Sequence, residues 1–387
     1  MKESESSSQF ETRKRDHIKI ALDSRSQTEG QNGLDSIELI HEALPELDYK
    51  EVDISTSFFF SGNASQKTHS KTDAISLKLS SPIFISSMTA GHEHGRQINE
   101  ALARLSDRRQ ILMGVGSQRR ELNDSNAAEE WAQVRKQAPR ARLLGNIGIT
   151  QLIKTPIDKI QKLIEATEAV ALFVHLNPLQ EVLQPEGTPS FKDGLQAIEN
   201  LVKIAGIPVI VKEVGCGFSA ETLKRLHNTG IFAVDVSGKG GTHWGRVEGY
   251  RSQPEQMLYK VAQTFQNWGI STVQSMLNAK EAAKGNPRSY EVWASGGVRN
   301  GLEVGKLVAL GAQKVGIAKP FLEAALLGQN SDQLLQPDKA EQNIRPEQAD
   351  QNLEDLLNRL ETELKITMFC TGCRTLQDLQ TKPVIQA

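Results

Sequence analysis

Cysteine is scarce in this chain of 387 residues. Its three cysteines, Cys216, Cys370 and Cys373, are odd in number and have no spacing that would build a framework of disulfide bonds. As a zinc site, the pair at 370 and 373 lacks a second pair of ligands, and as a redox motif it lies far from any strand–helix–strand start. We therefore expect a turn at a helix end there, and a reducing, cytoplasmic location.

Long apolar runs and a large excess of one charge are also missing. No apolar run is long enough to span a bilayer, and a formal net charge of −2 gives no reason to expect a nucleic acid partner. The first nine residues are rich in Ser and Glu and lack the apolar segment of a secretory signal. These absences predict a globular protein that binds neither a membrane nor a nucleic acid.

Eight apolar, strand-like runs alternate with helical segments from Pro82 onward. The runs cover residues 83–87, 111–115, 143–147, 169–174, 208–212, 231–235, 291–294 and 314–318. Eight such alternations in one domain predict an α/β fold of the closed (β/α)8 type, a TIM barrel, with an open doubly wound sheet as the alternative. The barrel is favoured because no dinucleotide-binding fingerprint opens the series.

The barrel is expected to span residues 81–377, with a polar excursion near 330–350 and a C-terminal tail at 378–387. Residues 1–80 are predicted to form an N-terminal extension whose first ten or so residues are disordered. Within it we expect a short helix at 41–47, and two small strands, 58–60 and 75–79, beneath the barrel. The basic segment 13–17 opens a helix, where the macrodipole disfavours cations, so it either faces an anion or is a solvated charge run.

A dense group of polar residues follows the fourth apolar run. Alternation along a strand places His175 and Asn177 on one face, and Gln180 and Glu181 come next, on a predicted loop. In TIM barrels the active site lies at the carboxyl ends of the strands. We interpret this stretch as part of an active site; the alternative is a polar turn that ends the strand.

The other strand ends also carry polar or glycine-rich segments. Arg119, after two glycines, is a candidate phosphate ligand, and Asn146 either faces a heteroaromatic ring or bridges strands. Lys212 ends an apolar strand and needs an anionic partner, which is either a ligand or the neighbouring Glu213. Ser237 and Thr242 bracket a glycine-rich loop suited to phosphate or ring oxygens.

Glycine-rich segments follow the seventh and eighth runs, where this fold often binds phosphate. Together with the other strand ends, they predict a phosphorylated aromatic cofactor, and FMN fits, with Lys212 near its electron-rich edge. Arg119 and the Arg13–Lys14 pair lie far along the chain from these loops, which indicates a second anion site. Glu181 is suited to hold a Mg²⁺ that offsets a diphosphate.

This set of motifs resembles the type 2 isopentenyl-diphosphate isomerases. The matching segments are residues 13–17, 86–89, 113–119, 175–181, 185–187, 211–217, 235–242, 294–299 and 368–372. The likeness runs from about residue 12 to about residue 377. Two departures are visible: Ala90 stands where the family usually has Gly, and residues 188–190 replace an Asp-rich continuation.

The resemblance implies an isomerase that interconverts isopentenyl and dimethylallyl diphosphate with FMN, reduced by NADPH, and Mg²⁺. It also implies a homo-oligomer, a tetramer or an octamer. The implied FMN contacts are Ser87, Met88, Thr89, Ser117, Asn146, Lys212, Ser237, Thr242, Gly297, Val298, Arg299, Ala318 and Lys319. The implied substrate contacts are Arg13, Lys14, Ser117, Gln118, Arg119, His175, Asn177 and Gln180. Glu181 is the implied metal ligand, and Gln180, Lys212, Trp244 and Glu248 are the residues expected at the reacting carbons and the flavin.

The expected reaction adds a proton to an unactivated alkene and removes another from the adjacent methylene, which requires a strong, positioned acid. No Cys or Asp pair in the motifs suits this task. Reduced flavin N5 is therefore the expected proton carrier, with Gln180 and Glu248 as secondary candidates. Two rival functions are an FMN-dependent 2-hydroxy-acid oxidase on the same fold and a binding protein with a decayed barrel, although no strand end here has lost its polar residues.

Overall fold

Eight of the strands form a closed barrel. In this computed structural model, residues 7–61, 75–88, 93–122, 124, 126–285, 289–328 and 345–386 are described. Their strands are β1 Ile37–Leu39, β2 Thr56–Phe60, β3 Ile75–Leu79, β4 Ile83–Ile85, β5 Leu112–Gly114, β6 Arg142–Gly148, β7 Ala171–Leu176, β8 Val209–Glu213, β9 Ala233–Asp235, β10 Glu291–Ser295, β11 Lys314–Ile317 and β12 Val384–Gln386. All barrel pairings are parallel, and the order around the barrel is β10-β11-β4-β5-β6-β7-β8-β9.

The predicted TIM barrel is confirmed. Each predicted run contains one barrel strand or overlaps it, and the strand residues are almost all buried. Burial on both faces is the reason these strands read as continuous apolar runs. It comes from the helices outside the barrel and from the packed side chains inside it.

Helices surround the barrel and extend beyond it. They are α1 Ser7–Leu22, α2 Glu93–Arg109, α3 Asn126–Gln137, α4 Ile149–Leu152, α5 Ile157–Thr167, α6 Pro178–Leu183, α7 Gly194–Ile204, α8 Ala220–Leu226, α9 Trp244–Tyr250, α10 Met257–Thr264, α11 Thr272–Ala282, α12 Gly301–Ala309, α13 Lys319–Leu326, α14 Pro346–Cys370 and α15 Leu376–Thr381. The predicted helix at 41–47 is wrong: Pro45 cannot donate within a helix, and Glu46 has a positive φ of 52°.

The N-terminal segment lies over the mouth of the barrel. Helix α1 begins at Ser7, so the predicted disorder does not extend to residue 10, and Arg13 lies within the helix rather than at its start. Beyond α1, Thr28 N donates to Gly241 O at 2.8 Å and His243 N donates to Ser26 O at 2.9 Å. These bonds attach the segment to the loop after β9 and keep α1 beside α9 and α13.

The C-terminal segment is part of the folded structure. Helix α14 packs against α2, α12 and α13, and Asp350 accepts from Arg104 at 2.9 Å and from Arg108 at 3.0 Å. Residues 346–350 therefore belong to a helix, while residues 329–344 of the predicted excursion lie outside the described residues. In the predicted tail at 378–387, the described part completes α15 and forms β12, which pairs with β1.

The turn predicted at the two C-terminal cysteines is confirmed. Helix α14 ends at Cys370, and Gly372 has a φ of +65° that favours glycine. Cys373 is fully buried. Among the described residues, no helix has the length and apolar character needed to cross a membrane.

The hairpin of β2 and β3 closes the amino-terminal end of the barrel, as predicted. Phe58 is fully buried, with its ring centroid 5.0 Å from that of Phe232 and 6.2 Å from that of Trp293. Lys314, at the start of β11, donates from Nζ to Ser57 O at 3.0 Å. The hairpin thus covers the apolar interior at the end opposite the mouth.

Phe58→Ala should lower the free energy of unfolding by about 3–5 kcal/mol, because it leaves a cavity among aromatic rings. Phe59→Ala is the matched control: this neighbouring side chain is 55% exposed, and its loss should change stability by about 0.5 kcal/mol or less. Urea unfolding of both variants checks this. Equal losses for the two variants would contradict the covering role of Phe58.

Candidate active site

A cavity of about 440 Å³ opens where the carboxyl ends of the barrel strands meet α1. It brings together the following predicted site residues: Arg13, Lys14, Ser87, Met88, Ser117, Arg119, Asn146, His175, Asn177, Gln180, Glu181, Lys212, Ser237, Thr242, Trp244, Gly297, Val298, Arg299, Ala318 and Lys319. Gln118 and Glu248 do not line it. Thr89 and Ala90 lie outside the described residues.

Gln118 supports the site from behind instead of facing it. Its side chain is fully buried, and Oε1 accepts from Asn146 N at 2.9 Å. In this arrangement Gln118 joins the loop after β5 to β6 and does not face the space predicted for the substrate. Asn146 in turn donates from Nδ2 to Val115 O at 3.0 Å, so it does bridge strands as well as facing the cavity.

Asn146 also sets the protonation of His175. The Asn146 Oδ1 atom lies 2.8 Å from His175 Nδ1, so the ring donates from Nδ1 and its Nε2 is left as an acceptor. Burial, with smaller contributions from Lys212 and Lys14, lowers the pKa of His175 to about 3. The imidazole is therefore neutral at neutral pH.

The residues after β7 form a short helix, α6, where a loop was predicted. Pro178 occupies its first turn, where a missing N–H costs little. The helix directs Gln180 and Glu181 toward the cavity, and Asn177 Nδ2 donates to Gln180 Oε1 at 3.0 Å. Glu181 Oε2 accepts from the backbone N of Thr188 at 2.7 Å, a contact that does not depend on the side chain at 188.

The segment at 185–187 packs tightly against α6. A Cβ at Gly187 would come within 2.0 Å of the Glu181 carbonyl oxygen, so only glycine fits. Glu186 forms a two-point ion pair with Arg251, at 2.9 and 3.1 Å. This pair connects the end of α6 to the end of α9.

Glu248 lies behind the cavity wall, on α9, with no exposed surface. Its carboxylate is 2.7 Å from Arg251 Nη1 and 3.0 Å from His17 Nε2, and it accepts from Gln180 Nε2 at 3.0 Å. Burial alone would raise the pKa of Glu248, but these neighbours outweigh it and lower the pKa to about 2. In this arrangement it contacts Gln180 and orients that amide, and it does not itself line the cavity.

Trp244, the first residue of α9, lines the cavity as predicted. Its ring packs edge-to-face on His17, with centroids 5.3 Å apart at an interplanar angle of 83°. Because His17 also contacts Glu248, helix α1 is joined to both the apolar wall and the buried carboxylate. Ile18 and Ala21 of the same helix add apolar surface to the cavity.

Lys212 reaches the cavity from the end of β8 and is 4% exposed. Its Nζ donates to the carbonyl oxygen of Glu213 at 2.8 Å. The Glu213 carboxylate instead accepts from the backbone N–H groups of the next three residues, including Val214 at 2.7 Å and Gly215 at 2.8 Å. The Glu213 carboxylate therefore makes no direct hydrogen bond to Lys212 in this arrangement, although its charge still acts on the lysine.

The predicted phosphate ligands differ in whether they already form ion pairs or hydrogen bonds with other residues. Arg119 has no hydrogen bond or ion pair to any other described residue, whereas Lys319 lies 3.6 Å from Glu323. Arg299 pairs with Glu303 and with Asp35, and its backbone N also donates to Glu303. That N–H is thus not available to a phosphate in this arrangement.

Several polar atoms at the cavity remain without a partner. Ser86 Oγ, Ser87 Oγ and Asn177 Oδ1 are buried with no hydrogen bond to the described residues. Unsatisfied buried polar atoms are costly, and three of them around one cavity fit a polar ligand. The hydroxyl of Thr242, by contrast, already bonds Gln27 at 3.2 Å.

The donor set for a metal is small. Among the described residues, no group of three or more His, Cys, Asp or Glu side chains could hold an ion. Glu181 offers one carboxylate at the cavity, which suits a Mg²⁺ that takes most of its ligands from phosphate oxygens and water.

Some residues of the site are not indicated by any motif or strand-end pattern in the sequence. Arg251 and Glu186 are 65 residues apart, and Arg359 reaches the cavity rim from α14, outside the barrel strands. Asp235 could have been found, because it ends an apolar strand just as Lys212 does. It is fully buried beside Lys212.

Comparisons with known proteins agree on family and fold. A family model described as FMN-dependent dehydrogenase matches residues 158–333. The isopentenyl-diphosphate delta-isomerase of Bdellovibrio bacteriovorus is 73% identical over 382 residues, or 99% of each chain. That of Legionella pneumophila strain Corby is 48% identical over 375 residues, covering 97% of this chain and 98% of the relative. That of Halobacterium salinarum is 39% identical over 380 residues, covering 97% and 93%.

Solved structures show a similar barrel. A variant of flavocytochrome b2 with sulfite bound superimposes with a TM-score of 0.61 at 18% identity, covering 97% of this chain and 83% of that one. A mandelate oxidase variant gives a TM-score of 0.55 at 16% identity, covering 96% and 92%. At these identities the likeness concerns the fold alone.

We expect the His175 ring to stay neutral from pH 8 down to pH 5. Because its pKa is about 3 in the folded chain, against about 6.5 when unfolded, His175 lowers stability by up to ~1.4 kcal/mol for each unit of pH between about 6.5 and about 3. Nitrogen-15 NMR of histidine-labelled protein measures this directly, with His175→Asn to assign the resonance.

Asn146→Asp should raise the pKa of His175 by about one unit or more, because it places a carboxylate at Nδ1. A His175 pKa near 6.5 in the parent protein would contradict the argument that burial lowers this pKa.

Proposed function

Because this chain belongs to the FMN-dependent, type 2 family of isopentenyl-diphosphate delta-isomerases, we propose that it converts isopentenyl diphosphate to dimethylallyl diphosphate with reduced FMN and Mg²⁺. The observation that carries the proposal is the arrangement of the cavity. Glycine-rich loops after β10 and β11 and basic residues after β5 face the same space. In the closed barrel order, β11 and β4 lie between β10 and β5, and β8 and β9 lie between β7 and β10. The residues after β5 and β7 are therefore apart from the loop after β10, which supports two separate anion sites.

The residues around the cavity fit FMN. The loops with Gly297 and Ala318 leave room for a phosphate, and the unpartnered hydroxyls of Ser86 and Ser87 suit polar ring atoms. Lys212 supplies a buried cation to the same wall. When bound and reduced, FMN would supply an exchangeable proton and a flat surface for the prenyl chain.

The substrate diphosphate is proposed to bind at Arg119 and the Arg13–Lys14 pair. Arg119 is free to make the planar two-point contact that phosphate oxygens accept from a guanidinium. Helix α1 brings Arg13, which is 3% exposed, to the same cavity. Glu181 would hold Mg²⁺ against the diphosphate, where the cation offsets its charge.

Three polar side chains at or just behind the cavity wall are not acids at neutral pH. Gln180 carries an amide, Glu248 is ionised because its pKa is about 2, and His175 is neutral because its pKa is about 3. Gln180 and Glu248 are therefore poor donors of the proton that the alkene requires. This supports the flavin as the proton carrier, with Gln180 held in place by Glu248 and Asn177.

Trp244 would wall the apolar chain of the substrate and keep water away from the reacting carbons. Its ring is fixed against His17, and Ile18 and Ala21 continue the apolar surface. NADPH as the reductant, a homo-oligomer of four or eight chains, and a cytoplasmic location complete the proposal.

The purified protein should bind FMN and form dimethylallyl diphosphate only when the flavin is reduced, by NADPH or dithionite, with Mg²⁺ present. Proton NMR of the product and the absorption spectrum of the flavin measure this. Failure to bind FMN, or no isomer from the reduced protein, would overturn the proposal. Bleaching of the flavin by 2-hydroxy acids without NADPH would instead identify an oxidase.

Glu181→Gln should remove most activity and raise the Mg²⁺ concentration needed by on the order of tenfold or more, about 1.4 kcal/mol. FMN affinity should not change, because Glu181 is proposed to act at the diphosphate. The exposed Glu165→Gln on α5 is the matched control and should behave like the parent. An unchanged Mg²⁺ dependence in Glu181→Gln would reject the metal role.

A further inference from the structure

We propose that Asp235 is a positioning residue that keeps the amine of Lys212 charged at the cavity wall. Asp235 does not line the cavity and has no exposed surface, so it cannot touch a ligand there. It acts through Lys212. Only the second of the two measurements below rests on the proposed binding of FMN.

The pairing of three neighbouring strands places the two charges together. Lys212 of β8 is the register partner of Asp235 of β9, and both residues are the last or next-to-last of their strands. From β10, Ser295 Oγ lies 2.8 Å from Asp235 Oδ1 and 3.0 Å from Oδ2 and donates to the carboxylate. The backbone N of Ser237 adds a bond to Oδ1 at 3.3 Å.

The other titratable groups around Lys212 stabilise its charge less than Asp235 does. His175 faces it from β7 and is neutral. Glu213, the next residue on β8, has its carboxylate bound to three backbone N–H groups, and burial raises its pKa to about 7. The remaining neighbour is the ring of Phe173, whose centroid lies 5.8 Å from Nζ. Asp235 is thus the larger of the two carboxylate contributions that offset the lysine, and Glu213 is the smaller.

Without such an anion a buried ammonium loses its proton readily. Burial lowers the pKa of Lys212, and the charges of Asp235 and Glu213 oppose that lowering. Burial likewise raises the pKa of Asp235, which Lys212 and Ser295 oppose. Each group therefore stabilises the charged form of the other. Removing the Asp235 carboxylate should lower the pKa of Lys212, so that the amine becomes neutral at a lower pH.

The first measurement follows Lys212 itself in the full-length protein without flavin. Carbon-13 labelling of the lysine ε-carbon, in otherwise deuterated protein, reports the titration, and Lys212→Met assigns the resonance. In Asp235→Asn, Lys212 should lose its proton at a clearly lower pH than in the parent. Asp107→Asn, which removes a buried carboxylate bound to Arg140 and away from the cavity, should leave the titration unchanged.

If Asp235→Asn does not fold, Ser295→Ala is the second variant in which the Lys212 titration is measured. It keeps the carboxylate but removes its hydroxyl donor, so Lys212 should lose its proton at a pH between those of the parent and a chain lacking the charge. A Lys212 titration that matches the parent in whichever of these variants folds overturns the proposal.

The second measurement is the midpoint potential of bound FMN against pH. At low pH, the Asp235→Asn variant keeps the Lys212 cation but lacks its counter-charge. This cation should stabilise reduced flavin by on the order of tenfold, which raises the midpoint potential by about 30 mV for a two-electron couple. As pH rises and the amine of the variant loses its proton, this difference should vanish. In the Lys212→Met background, Asp235→Asn should have no effect, because a lone buried carboxyl takes up a proton.

These outcomes separate two kinds of failure. A potential difference that persists in the Lys212→Met background shows that Asp235 acts on the flavin without Lys212, and overturns the proposal. A protein that binds no flavin defeats the proposed function, but it leaves the lysine titration to decide the role of Asp235.

Discussion

The pairing of β11 with β4 is the contact on which the site depends. This ladder joins the last strand of the series to the first, through Val315 with Ile83 and Ile317 with Ile85. With the sheet closed, all eight carboxyl ends face one rim, so loops more than 200 residues apart in the chain share one cavity. At the other end, the hairpin with Phe58 covers the apolar interior, and function is confined to the mouth.

Charge at the mouth is balanced pair by pair. Glu248 is held by Arg251 and His17, Glu213 by backbone N–H groups, and Lys212 lies beside Asp235. Burial of any one of these groups alone would be costly, so each is compensated by a neighbour on an adjacent element. The charges of the cavity wall are therefore already in position before a ligand binds. Such a preorganised wall can stabilise charge that develops in a reaction without having to rearrange its own side chains.

Segments outside the barrel complete the site. Helix α1 carries Arg13 and His17 over the mouth and is attached through residues 26–28 to the loop after β9. On another side, α14 packs on α12 and α13, the helices that follow the two glycine-rich loops, and Glu363 accepts from Gly301 N at 2.6 Å. The barrel supplies the floor and the loops, while these segments supply part of the basic rim.

The amino-acid sequence by itself determined the barrel and most of the site's membership. Strand burial shows as local apolar runs, and strand ends show as polar residues directly after them, so both can be found without knowing any contact. The motif set also identified the family. Tertiary structure alone decided which way the side chains at those ends turn. Gln118 and Glu248 face the protein interior, and Lys212 lies beside Asp235 of the next strand while the adjacent Glu213 carboxylate bonds backbone N–H groups. These choices depend on neighbours from other strands and helices, because a side chain's direction is set by what packs against it in space, which spacing along one chain does not record.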